Sequence, residues 1–327
     1  MIEPRPLLKL DSLDLDLIRE LESDGRLGVT ELSESLQVSW STLAHRIRRL
    51  EEHRVIRFLT LLHPAALGNP RQVLIAVNAP PSQIEAVARR LAAEPQVYHV
   101  SIHTGRYDIF ASVSLPQSTD LWQFINPRLA SISEISRAEV MLGLKIVKLS
   151  LSLLSTNGIR LLEKDTGKSE LDSLDFRLLH SLRFNPRTSY ADLAEKVGCS
   201  KATARRRLDR LLQDETLRVI AVADPVRLGY ALRTNIALVV RPGMIDQAAA
   251  AVAASPYTHH VIITTGSFGL LFTTFFRNQE ELSKFCSEYI GTIPGIISYE
   301  TMVLMKVVKD NFGADWGFGA EFPPSPS

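Results

Sequence analysis

A chain of 327 residues is long enough for at least two domains, and 45% hydrophobic residues suffice for ordinary cores. No stretch reaches the roughly 18 uninterrupted apolar residues of a membrane helix, and residues 1–9 lack the apolar centre of a signal peptide. The formal net charge of +1 does not announce nucleic acid, and the two cysteines, Cys199 and Cys286, lie far apart, which favours a reducing cytoplasm over a disulfide framework.

The first predicted helix opens at Asp11, whose side chain suits an N-cap, and carries Leu13, Leu17, Ile18 and Leu21 at helical spacing. Gly25 breaks the pattern. A short second helix carries Leu32 and Leu36. A tight turn at Gln37-Val38 and a serine cap at Ser39 then start a third helix that buries Leu43, Ile47 and Leu50. Two helices joined by three or four residues, with another packed behind, form a helix-turn-helix. The opposite face of the third helix offers Ser39, Trp40, Ser41, Thr42, Ala44, His45 and Arg48, flanked by Arg46 and Arg49. Small residues near a helix start allow close approach to base edges, and arginine pairs with guanine or phosphate, so this face is a candidate DNA contact. A solvated basic face is the plainer alternative. Val55 to Thr60 reads as a strand, followed by a hinge at 63–68.

A second module follows. Strands are predicted at 72–77, 97–103, 108–115 and 138–149, with helices at 82–91, after Pro80-Pro81, and at 119–130. The order βαββαβ is that of a ferredoxin-like split unit. Its most recognisable turn is His103-Thr104-Gly105-Arg106-Tyr107-Asp108. Read plainly, it is a hairpin in which Gly105 supplies positive φ and Asp108 satisfies turn backbone.

At Leu171 the sequence starts again. Leu10-Asp11-Ser12-Leu13-Asp14 returns as Leu171-Asp172-Ser173-Leu174-Asp175, 161 positions later, and the same offset carries Ser39 onto Ser200, Arg46 onto Arg207, Gly105 onto Gly266 and Lys145 onto Lys306. A repeat that long is a duplicated multi-element unit, since solenoid repeats run about 20–50 residues. In the second copy the third helix, capped by Ser200, offers Lys201, Ala202, Thr203, Arg205 and Arg206, flanked by Arg207 and Arg210. Residues 10–68 hold seven Lys/Arg against ten Asp/Glu, whereas 171–229 hold eleven against eight, so the second copy is the more basic. Its turn reads Thr264-Thr265-Gly266-Ser267-Phe268-Gly269, keeping glycine and an aromatic but losing the arginine and the carboxylate.

The run from Val38 to Glu51 resembles the recognition helix of the Lrp/AsnC (feast/famine) transcription regulators, and 55–60 with 63–68 fit the same family. The turn from Gly105 to Asp108 matches the family's glycine–x–tyrosine–aspartate turn. Where family members usually carry glycine before the strand, this chain has Arg54 and Glu215, so that corner is expected to be strained or differently shaped. The resemblance implies an α+β chain of two winged helix-turn-helix domains and two βαββαβ modules in tandem. The expected division is a DNA-binding domain at 10–62, an effector and assembly domain at 63–149, a linker at 150–170, their repeats at 171–223 and 224–310, and a tail at 311–327. It further implies a DNA-binding regulator responding to an amino acid or related molecule, with an effector site at His103, Thr104, Gly105, Arg106, Tyr107 and Asp108 and a second, which departs from the family pattern, at Thr265, Gly266 and Ser267. Partners are then double-stranded DNA, a small effector and further copies of the chain, with no membrane.

A linker of about 21 residues reaches about 25 Å, enough for the modules of one chain to pair as a pseudo-dimer. His99 and His103 on one strand would stand about 13 Å apart with no cysteine or acidic cluster beside them, so neither metal nor cofactor is expected. No catalytic triad or phosphate loop is visible. The enzymatic alternative is a fused siroheme decarboxylase, which shares the architecture and would need a basic, histidine-rich pocket for its polyanionic tetrapyrrole.

Overall fold

A computed structural model describes residues 8–63, 71–155 and 171–310, which divide into two compact units. Most of the expected hinge, most of the linker and the tail lie outside the described residues.

The first unit gathers both helix-turn-helix segments. The first segment comprises α1 (Ser12–Ser23), α2 (Val29–Leu36), α3 (Trp40–Glu52) and β1 (Ile56–Leu62). Asp11 caps α1 by accepting the Asp14 N–H at 2.9 Å, while the Asp14 carboxylate accepts the Asp11 N–H at 3.2 Å. Leu17, Ile18, Leu21, Leu32, Leu43, Ile47 and Leu50 close the core.

The second copy has the same arrangement at its own α6 (Ser173–Phe184), α7 (Tyr190–Val197), α8 (Lys201–Gln213) and β6 (Leu217–Ala223), which lie in the chain between the two halves of the second unit. The wing expected after each third helix is instead one ribbon shared by the copies. Strands β1 and β6 pair antiparallel from Ile56↔Ala223 to Leu62↔Leu217. Ala221 and Ala223 thereby enter the first copy's core. Gly25 is needed for this approach, because a Cβ there would stand 2.8 Å from the Ile220 backbone.

The copies are further tied by two arginines 161 positions apart. Arg26 donates to the Pro186 carbonyl at 2.8 Å, and Arg187 donates to the Leu27 carbonyl at 3.1 Å. Glu22, fully buried, accepts the Ser152 hydroxyl and the backbone N–H groups of Leu153, Leu154 and Ser155 at 2.7–2.9 Å. The start of the expected linker is therefore anchored on α1. Arg54 and Glu215 adopt φ of 54° and 57°, the left-handed region expected of glycine.

The second unit holds β2 (Arg71–Asn78), α4 (Ile84–Ala92), β3 (Val97–His103), β4 (Ile109–Leu115), α5 (Leu121–Ala130) and β5 (Arg137–Leu149). Their counterparts are β7 (Leu232–Val240), α9 (Ile245–Ala254), β8 (Thr258–Thr264), β9 (Leu270–Phe276), α10 (Gln279–Lys284) and β10 (Ile296–Asp310). The helix that opens at Gln279 stops being α-helical at Lys284 and continues as a π turn, Phe285–Tyr289.

Each copy has the ferredoxin-like strand order, and β5 pairs with β8 while β10 pairs with β3, closing an eight-stranded barrel. Alternation along the strands makes two kinds of core. Val73, Ile75, Val100, Ile102, Ile109 and Ala111 pack with α4 and α5 residues, and the second copy repeats this. The other face, with Leu74, Tyr107, Phe110, Met141, Ile262, Phe268 and Met302, forms a core drawn from both copies.

Candidate nucleic-acid interface and ligand turns

The two third helices begin alike. Ser39 accepts the Thr42 N–H at 3.3 Å, and Ser200 accepts the Thr203 N–H at 3.1 Å, which fixes each helix start. On α3, Trp40, Ser41, Thr42, His45 and Arg48 are exposed, Trp40 to 59%, and Ala44 is half-buried. On α8, Lys201, Ala202, Arg205 and Arg206 are exposed and Thr203 is half-buried.

The flanking arginines, also expected at the contact face, are engaged within the unit. Arg46 donates to Asp11 at 2.7 Å and to Asp14 at 2.8 Å, and Arg49 donates to Asp14 at 2.6 Å. In the second copy Arg207 bonds Asp172 at 2.6 Å, and Arg210 bonds Asp175 at 2.6 Å. Asp14 and Asp175 are fully buried. A buried carboxylate requires its countercharge, so these four arginines brace the third helix against the first. The Arg46 hydrogen bond holds the Asp11 carboxyl below its ordinary range, and the Asp175 backbone N–H, aided by Arg207, does the same for Asp172. Asp14 and Asp175 were not singled out from the sequence, although their place in the repeated Leu-Asp-Ser-Leu-Asp segment was a signal.

The two candidate turns interlock reciprocally across the copies. Gly105 and Gly266 have φ of 97° and 95°. Thr104 exchanges hydrogen bonds with the Val303 backbone, its N–H donating at 2.9 Å and its hydroxyl accepting at 3.2 Å. Thr265 does likewise with Leu142, at 3.0 and 2.9 Å. Arg106 donates to Glu300 at 2.9 Å. Its counterpart Ser267 donates its N–H and hydroxyl to Glu139 at 2.7 and 2.9 Å, and the Tyr107 hydroxyl donates to the same carboxylate.

Glu139 and Glu300 are themselves 161 positions apart, so each turn meets the other copy's carboxylate. Burial opposes the charge of Glu139, but the Tyr107 and Ser267 donors outweigh it and hold its pKa below the ordinary range. Neither glutamate was identified from the sequence.

Two further turn residues are used internally. Asp108 accepts the Ala79 N–H at 3.1 Å and an Asn78 side-chain N–H at 3.2 Å, the plain hairpin role. Tyr107 is fully buried. His103, 5% exposed, lies 2.8 Å from the Ser101 hydroxyl and 3.3 Å from the Met302 carbonyl, and burial pushes its pKa down to about 4. Thr104, Gly105 and Arg106 on the first turn and Gly266 and Ser267 on the second are exposed, while Asp108 and Thr265 are half-buried.

An AsnC-type helix-turn-helix domain matches residues 10–51 and 171–212, and an Lrp/AsnC ligand binding domain matches residues 72–153 and 236–313. The chain belongs to the Lrp/AsnC family. It carries each family domain twice, and it is a DNA-binding transcriptional regulator with a ligand-binding module.

An uncharacterised HTH-type transcriptional regulator of Pyrococcus horikoshii is 34% identical over 142 residues, covering 43% of this chain and 90% of its own. The HTH-type transcriptional regulator FL11 of the same organism is 31% identical over 141 residues, covering 43% and 93%. Such relatives are thus about one copy long. A full-length likeness comes from the siroheme decarboxylase NirDL, which covers 93% of this chain and 96% of its own with a TM-score of 0.64 and 17% identity. Identity that low carries the fold and none of the chemistry.

Proposed function

We propose that one chain of this regulator brings two unlike reading helices, α3 and α8, to one asymmetric DNA site. The observation that carries this reading is the shared β1–β6 ribbon, reinforced by the reciprocal Arg26 and Arg187 bonds, which holds both helices in one unit. Operator symmetry follows protein symmetry, and the two faces differ: Trp40, Ser41, Thr42, His45 and Arg48 against Lys201, Ala202, Arg205 and Arg206, with Ser39, Ser200 and Thr203 setting the helix starts.

The α8 face supplies most of the phosphate-driven affinity, since each neutralised phosphate releases counterions. Footprinting on the chain's own upstream promoter fragments tests this reading. It predicts a protected site with two dissimilar halves, and a perfect palindrome would contradict it.

In this reading the effector is an amino acid or related carboxylate that competes with Glu300 for Arg106. The second turn does not respond, because Ser267 is already engaged by Glu139. A thermal-shift screen of amino acids, repeated on Arg106→Ala, tests it: the variant loses the shift. The protein acts in the cytoplasm, self-associates and is not an enzyme. Incubation with siroheme tests the last point, because a tetrapyrrole site would produce a Soret band.

A further inference from the structure

The second copy contains a chain of contacts that the first copy lacks, and it ends on the α8 contact face. Tyr190, the first residue of α7, donates its hydroxyl to Asp209 Oδ1 at 2.7 Å. The other oxygen of Asp209 faces Arg205 Nε at 3.5 Å, one helical turn earlier on α8. The Arg205 guanidinium stands 5.9 Å from the centre of the Tyr190 ring. Arg26 also packs on that ring, at 5.4 Å, while bonded to the carbonyls of Pro186 and Thr188.

Arg205 is 70% exposed and Asp209 35% exposed. An isolated exposed ion pair would order the arginine weakly. Here the carboxylate is itself fixed by a phenol whose ring also carries Arg26, and the guanidinium has both a charge partner and an aromatic ring beside it. The terminal nitrogens of Arg205 make no hydrogen bond among the described residues. They are the fork that pairs bidentately with the O6 and N7 of guanine in the major groove.

At the equivalent positions, 161 residues earlier, the first copy has Val29, Ala44 and Arg48. It can build neither the phenol–carboxylate bond nor the arginine it serves.

We infer that Tyr190 and Asp209 are positioning residues that present Arg205 to a guanine base edge, making α8 the more base-selective of the two reading helices. The inference rests on the reading of α8 as a DNA-contacting helix and adds the base class it selects. A long arginine fixed before binding loses less rotamer freedom on contact, and its fork is offered in one direction. That favours discrimination between bases over general affinity.

The test uses the full chain and its footprinted site, with each base pair of the α8 half replaced in turn. Arg205→Ala identifies the position whose guanine preference depends on Arg205. Tyr190→Phe keeps the ring, the packing and the net charge, and removes only the hydroxyl. It is expected to reduce the preference at that position about twofold to fivefold, with the salt dependence of binding and the melting temperature unchanged.

Asp209→Asn should reduce the same preference, although its lost negative charge raises affinity for all sequences. Full retention of the preference in Tyr190→Phe, or an equal loss at every position, overturns the inference while leaving α8 a reading helix. Failure of the parent chain to bind DNA removes the reading helix and the inference together.

Discussion

The arginines of α8 separate into two classes that a double comparison distinguishes. Arg207 and Arg210 face the buried Asp175 carboxylate at 3.3 and 2.6 Å, with side chains 25% and 41% exposed. A hydrogen bond to a charged group contributes about 1.5–3 kcal/mol. Partial exposure of the arginines lowers that to about 1–2 kcal/mol each. Removing both leaves Asp175 buried without countercharge, so Arg207→Ala with Arg210→Ala should cost about 3 kcal/mol. Urea denaturation reads this as a lower midpoint at unchanged slope.

Arg206 is exposed, so Arg206→Ala should change stability by no more than about 0.5 kcal/mol. The logarithmic salt slope of DNA binding should instead fall by about 0.9 for its lost phosphate. Fluorescence anisotropy across a salt series measures that slope for each variant. If the Arg207/Arg210 pair flattens the slope and spares the urea midpoint, the bracing argument is wrong.

Other outcomes follow from local geometry. Arg54→Gly should stabilise the protein by about 0.5–1 kcal/mol, relief of left-handed strain exceeding the entropy glycine restores to the unfolded chain; a lower urea midpoint would refute this. Gly25→Ala forces a Cβ to within 2.8 Å of the Ile220 backbone and should cost about 1–3 kcal/mol by thermal melting. His103 has its folded pKa depressed to about 4, so the unfolded chain binds more protons as pH falls below 6.5. Its contribution is therefore intact above pH 6.5 and is lost on acidification towards pH 4. Unfolding at pH 7 and pH 5 should differ by about 2 kcal/mol from this residue, and His103→Gln should remove that part of the difference.

Much of the fold was legible because it is local. The Asp11 and Asp172 caps, the apolar spacing of α1 and α6, the serine starts of α3 and α8, and the strand order of the βαββαβ modules are all written in short segments. Arg54 and Glu215, standing where the family usually carries glycine, marked a corner that keeps the left-handed backbone and its strain. The pairings β1–β6, β5–β8 and β10–β3 were not assigned, because ladder bonds use backbone groups and carry no side-chain signature across such separations.

The ion pairs of the flanking arginines were not legible for a related reason. Helical spacing says which residues flank a surface, but it does not say that Arg46 and Arg207 find carboxylates 32–35 residues away. At the turns, glycine and aromatic positions were legible, yet the use of Asp108 by the Ala79 backbone and the exchange of Glu139 and Glu300 between copies depend on the closed barrel.

Site-directed cleavage of bound DNA addresses the main claim most directly. With Cys199 and Cys286 replaced by serine, an iron chelate is attached at Ser41→Cys on α3 or at Ala202→Cys on α8. The two-reader arrangement predicts that the α3 chelate cuts only one half of the site and the α8 chelate only the other. Identical cutting patterns from the two chelates would mean that the helices read interchangeable half-sites, contradicting it.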